Sequence, residues 1–358
     1  MQHPFFINYL KKDTNITPAD RLLLHLFFSK SPSKEDIDAL WSNYDVNNAH
    51  LEFSLLVGLL KKRHPEVEFP KSIIPQLDGI LRFLQVKNAV LLQGFNEIAT
   101  ELNKKGIPIL LTKGIAMKYF RPDEPRYMSD VDFIVPEELY DEAVKTANDL
   151  GFSGGKISHS ADLSKGDVCV DIHRSFLHGK DKRGAAVLRN MFANAKKTSA
   201  FGVDVLIPSP EDFMLLMLSN AYHNIAVQPS IHISVCYYFF DCARLIEDNK
   251  DLDWDAVCAA ASESGILYQI QTFLELLNWL FPSFLPEELL AKIAVNSEEH
   301  TTEQLKNDML FRINDKLLQQ QKMYRLSDCK NIPEVIFALK IRIKRVLWAV
   351  VRKNNLII

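Results

Sequence analysis

The chain has no long apolar run, no cysteine pair at close spacing and no excess of charge of either sign. No stretch of 18 or more apolar residues occurs, so a membrane-spanning helix is not expected. The N-terminal MQHPFFINYLKKDTN lacks the apolar core of a secretory leader. The five cysteines, Cys169, Cys236, Cys242, Cys258 and Cys329, form no C-x-x-C, and no Cys/His pair has zinc-ligand spacing. Reduced thiols in a cytoplasmic protein are the expectation. With 42 basic against 45 acidic residues, a nucleic-acid-coating surface is not indicated. Neither an internal repeat nor a low-complexity tract is present.

What remains is an ordinary globular composition, 47% hydrophobic and 24% charged, in 358 residues, enough for two or three domains. Residues 1–84 predict a helical N-terminal region. Thr17 and Pro18 open one helix, and Ser33-Lys34-Glu35-Asp36 opens another. Leu51 to Lys62 is a third. A long helix is predicted from about Ile73 to Lys105, stopped by Gly106.

The pattern then changes. Residues 107–111 are a short apolar run, expected as a buried strand. Lys113-Gly114 precedes a helical segment to Phe120. Residues 130–135 and 167–173 alternate polar and apolar, as strands do, and 203–207 predicts a last strand. Residues 85–208 therefore form a compact mixed α/β unit. Ser209-Pro210-Glu211-Asp212 is a strong helix start, and 209–358 returns to helix. The fold class expected is α+β: a small mixed sheet with flanking helices, set between helical N- and C-terminal regions.

Asp130 and Asp132, two apart on one predicted strand, project from the same face with Cα atoms about 6.6 Å apart. Asp171 lies on a second strand, sharing a face with Asp167, Cys169 and His173. Two unit charges about 4 Å apart repel by roughly 4 kcal/mol at an effective dielectric near 20. A divalent cation reverses that, and magnesium is commonly shared between carboxylates and substrate phosphates. D-x-D by itself is commonplace on solvated strands. The strand-Lys-Gly-helix upstream, Arg126 and the second carboxylate strand make this one more specific.

The ordered strings LTKGIAMKYF, RYMSDVDFIV and VDIH, followed by PSPEDFMLL, FFDCARLIE and DWDAV, resemble the uncharacterised nucleotidyltransferase family of the DNA polymerase beta superfamily. The resemblance spans roughly residues 85–285. It implies a minimal nucleotidyltransferase core at 85–208. Asp130, Asp132 and Asp171 would be the catalytic and metal-binding carboxylates, with Mg2+ as cofactor and Mn2+ as an alternative. Lys113, Gly114 and Arg126 would meet the triphosphate, with Gly114 permitting close backbone approach beside a helix N-terminus. The superfamily's usual Gly-Ser or Gly-Gly is here Lys113-Gly114-Ile115, a form shared with toxin-like nucleotidyltransferases.

The implied reaction moves a nucleoside monophosphate from an NTP, by default ATP for its abundance, to an acceptor hydroxyl with release of pyrophosphate. The acceptor, a small molecule, a peptide or protein, or tRNA, is not legible. A catalytically silent nucleotide-binding module and a toxin-like tRNA-modifying transferase are the rival functions.

His173 is read evenly as a substrate or proton-transfer group and as a partner orienting a carboxylate. His159 and Lys118 are weighed as site residues against surface ones. His223, Asp241 and Arg244 sit on the helical region that would close over the nucleotide. Arg244 is a candidate base or phosphate contact, against a structural hydrogen-bond network. The last predicted helix, 333–353, carries an apolar stripe and basic residues, and docking on its own domain is favoured over a membrane or nucleic-acid role.

Overall fold

The computed structural model describes residues 17–45, 49–156, 159–177, 183–227, 236–282, 284–286 and 289–291. The predicted helix at 333–353 lies outside them. Four helices come first: α1 (Pro18–Phe28), α2 (Lys34–Asn43), α3 (Leu51–Arg63) and α4 (Ile74–Lys104). Thr17 caps α1 in a reciprocal box: its hydroxyl accepts from the Asp20 amide at 3.1 Å, and Asp20 Oδ2 accepts from the Thr17 amide at 2.8 Å. Helix α4 ends at Gly106, whose φ of 70° permits the Ile107 amide to reach back to the Leu102 carbonyl at 2.9 Å. It runs unbroken through residues 84 and 85, with Leu84 and Leu91 fully buried on its inner stripe.

The α/β unit that follows holds β1 (Leu110–Leu111), α5 (Lys113–Phe120), β2 (Val131–Ile134), α6 (Tyr140–Asp149), β3 (Ser153–Lys156), β4 (Ser160–Lys165), β5 (Val168–His173), α7 (Ala185–Asn194), β6 (Lys196–Ala200) and β7 (Val203–Ile207). The strands form one seven-stranded mixed sheet in the order β3-β4-β5-β2-β1-β7-β6. The β2–β5 and β1–β7 pairs are parallel and the rest antiparallel. Val131, Phe133 and Val135 are fully buried, and Phe133 meets Phe95 of α4 edge-on at 5.6 Å between centroids. Helix α4 approaches β5 so closely that a Cβ at Gly94 would lie 2.4 Å from Val168 Cγ1.

The chain then forms α8 (Pro210–Tyr222), a π-helical turn at His223–Val227, α9 (Cys236–Asp248), α10 (Trp254–Glu263) and α11 (Leu267–Leu280). Ser209 caps α8 by accepting from the Asp212 amide at 3.1 Å, with Pro210 in the first turn. Helix α8 is the hub of this region, packed by α9, α10 and α11. Helix α9 also touches α1 and α3, so the N-terminal and C-terminal helices pack against one another. Among the described residues no helix is long and apolar enough to cross a membrane.

Candidate active site

The site is built on the central parallel pair. Asp132 of β2 stands opposite Asp171 of β5, and Ile134 opposite His173. The alternation that buries Val131 and Phe133 on one face turns Asp132 to the other. His173 Nε2 lies 3.0 Å from an oxygen of Asp132 and 3.0 Å from an oxygen of Asp171. One ligand atom from each of these three side chains lies within 4.8 Å of the other two.

Asp130 is placed differently from the expectation. Strand pairing begins at Val131, so Asp130 precedes the strand rather than lying on it. Its carboxylate accepts from Ser129 Oγ at 3.0 Å. The compact ligand triad among the described residues thus comprises Asp132, Asp171 and His173, without Asp130.

Lys113 enters from the start of α5. Its Nζ donates to Asp132 Oδ1 at 2.5 Å and lies 3.3 Å from His173 Nε2. A cation in this partly buried position is tolerable only with such partners. Asp171 Oδ1 is buried and has no hydrogen-bond partner among the described residues.

The charges reinforce one another. Burial opposes the ionised form of Asp132, but the Lys113 ammonium and His173 outweigh it and hold that carboxyl well below the usual range. Burial, and then the charge of Asp132, push Asp130 up to about 6. His173 is raised in spite of its burial and of the nearby Lys113, because it bonds to Asp132 and Asp171. Burial and the His173 charge bring His159 down to about 4, and its ring stacks on His173 at 5.8 Å. Beside this cluster opens a small hollow lined in part by Thr112, Lys113, His159, His173, Ser175 and Asn220.

Not all candidate residues converge here. Arg126 makes a two-pronged ion pair with Asp241 of α9, both contacts 2.7 Å, and its guanidinium sits 5.2 Å from the Tyr237 ring. Arg244 donates to Glu124 at 2.8 Å and Glu247 at 2.9 Å and lies over the Phe27 ring. Arg126 and Arg244 line a second hollow between α5, α9 and α3, which shares no lining residue with the first. A Cβ at Gly114 would come 3.1 Å from Met128 Cγ, so Met128 packs closely over that residue. Lys118 donates to the carbonyls of Pro122 and Glu124 and braces the turn before Arg126.

Tyr238, a residue the sequence did not single out, belongs to the neighbourhood of the site. Burial raises its pKa, and the charges of Asp132 and Asp130 raise it further. Its only sequence signal was an aromatic cluster at the start of a helix, which core packing explains equally well.

The family model described as "Uncharacterised nucleotidyltransferase" matches residues 35–282, well over half of the chain. The chain belongs to that family, and nucleotidyl transfer is the class of chemistry this membership assigns. Among solved structures the chain is similar to the antibiotic-resistance factor ANT(2'')-Ia, at 14% identity and a TM-score of 0.35, over 49% of this chain and 90% of that one. The comparison with curated proteins gave no match.

Proposed function

We propose that the protein transfers a nucleoside monophosphate from an NTP to an acceptor hydroxyl, with release of pyrophosphate and dependence on Mg2+ or Mn2+. The observation that supports this is the triad Asp132, Asp171 and His173, three potential ligand atoms within 4.8 Å. The residues fit a divalent cation on two counts. Asp171 Oδ1 is a buried oxygen without a partner, which is costly unless something binds it. The donor set, two carboxylate oxygens and an imidazole nitrogen, is one that divalent metals accept. Asp132, Asp171 and His173 would hold the ion, and Asp130 would stand beside them. The ion would supply charge neutralisation at the phosphates and bring the two oxygens of an in-line displacement into reach.

The chain's own groups do the rest. Lys113 and the first amides of α5 offer positive charge to the triphosphate. The acceptor oxygen attacks the α-phosphorus, the bond to the β-phosphate oxygen breaks, and Asp171 takes the hydroxyl proton. Arg126 and Arg244 reach phosphate in this scheme only by leaving Asp241, Glu124 and Glu247, and Lys113 only by leaving Asp132. ATP is the proposed donor on abundance alone.

The experiment is incubation with each α-labelled NTP, Mg2+ and a cell extract, comparing the wild type with the Asp132→Ala/Asp171→Ala double variant. A labelled product made by the wild type and absent with the variant is expected. A product that persists in the double variant removes the mechanism.

A further inference from the structure

Lys113 occupies the place of a counter-ion. It is one of two non-glycine residues with positive φ among the described residues, at 45°. Such a backbone at a non-glycine position points to a constraint on where the side chain must go. That side chain crosses to β2 and β5. Its Nζ meets Asp132 Oδ1 at 2.5 Å, the same oxygen that His173 Nε2 approaches at 3.0 Å. It also lies 3.3 Å from His173 Nε2 itself. Lys113 is thus bonded to one of the three side chains that could hold a metal and stands 3.3 Å from a second.

A magnesium ion sits about 2.1 Å from its oxygen ligands. An ion on Asp132 Oδ1 and His173 Nε2 would fall within contact distance of the ammonium, cation against cation. The two cannot share the site in this arrangement. We infer that Lys113 is a tethered counter-ion for the Asp132–His173 pair, exchanged for the divalent cation when a nucleotide triphosphate arrives to receive its ammonium. The phosphate half of this exchange rests on the function proposed above; the competition between Lys113 and the metal does not.

Metal binding is then weak in the absence of nucleotide and strengthened by it, and by reciprocity the metal strengthens nucleotide binding. Removing the ammonium uncouples them. The three acids Asp130, Asp132 and Asp171 lose their internal cation and demand an external one.

The test is a Mn2+ titration, followed by electron paramagnetic resonance of the free ion, on wild type, Lys113→Met and Lys113→Gln. Each is titrated with and without an ATP analogue that cannot be cleaved between the α- and β-phosphates. Without analogue, both variants are expected to bind Mn2+ on the order of tenfold tighter than wild type, in the usual range of coupling between sites. With analogue, wild type gains affinity and the variants gain little. Equal or weaker Mn2+ binding by the variants without analogue overturns the inference. If the variants are unfolded without metal, circular dichroism after Mn2+ addition decides: refolding supports the exchange, and persistent unfolding overturns it. Wild-type transfer of α-label is scored separately. Tighter metal binding by the variants with no transfer in the wild type removes the proposed function and leaves the competition standing; transfer with unchanged metal affinity does the reverse.

Discussion

Asp132 and Asp171 face each other directly across the parallel β2–β5 ladder, Cα to Cα. Lys113 bonds to Asp132 and not to Asp171, so the two carboxylates respond differently to neutralisation. Asp171→Asn relieves repulsion with Asp132 but weakens the contact with His173, and is expected to cost less stability than neutralising Asp132. Asp132→Asn strips Lys113 of its anion and is expected to lower stability by about 2 kcal/mol, the usual loss for a bond to a charged group. Both should reduce transfer about a hundredfold or more, since charge stabilisation by a metal is worth several kcal/mol at the transition state. Urea unfolding beside the α-label assay checks both halves, and the reverse order of stabilities would contradict the pairing.

The nitrogen of His173 in the ligand set has a consequence for metal choice. Magnesium favours oxygen ligands, whereas imidazole suits transition metals better. Mn2+ is therefore expected to support transfer at lower concentration than Mg2+. His173→Asn should narrow that gap by about tenfold, the size of effect seen when groups around a metal are altered. The readout is the half-saturating concentration of each ion for wild type and variant. An unchanged ratio would place His173 outside the metal's reach.

These residues were partly visible in the sequence, for a physical reason. β2 and β5 bury one face, so their apolar residues alternate and reveal which positions share the other face. Helix starts at Thr17 and Ser209 were legible because capping is local. Strands β3 and β6 were not: β3 is Ser153-Gly154-Gly155-Lys156, exposed throughout, and β6 is largely exposed, so neither carries a periodic apolar signal. Non-local pairing was equally hidden. Nothing in a linear reading joins Arg126 to Asp241, 115 residues away, or shows that pairing starts at Val131 and leaves Asp130 outside the strand. His173 was legible as a residue on the Asp171 face, but its place between two carboxylates depends on β2 lying alongside.

Arg126 and Asp241 link the segment leading into β2 to helix α9, and both are nearly buried, with side-chain exposures of 11% and 3%. Burial opposes the charge of Arg126, but Asp241 more than compensates. Asp241→Ala strands that cation and is expected to destabilise the fold by about 3 kcal/mol. Arg126→Lys keeps charge but not the planar two-pronged geometry, and should also lose stability. A double-mutant cycle in urea gives the coupling energy. Loss of nucleotide use in Arg126→Ala with unchanged stability would assign the arginine to phosphate rather than to this link.

Glu52 supplies a prediction far from the chemistry. It lies in the first turn of α3 and is 2% exposed, and its Oε1 has no hydrogen-bond partner among the described residues. Burial raises its pKa, against the lowering effects of its own backbone amide, His50 and Lys87. A carboxyl that binds its proton more tightly when folded destabilises the fold as pH rises through the raised value. Below the unfolded value, about 4.3, the acid is neutral in both states and the penalty vanishes. Glu52→Gln preserves shape without the charge. It is expected to be more stable than wild type by about 1 kcal/mol at neutral pH, the scale of an unsatisfied buried polar group. That advantage should shrink to nothing as pH falls below about 4. Urea unfolding of both proteins across this range measures it; a difference independent of pH would show that the buried carboxylate is not the cause.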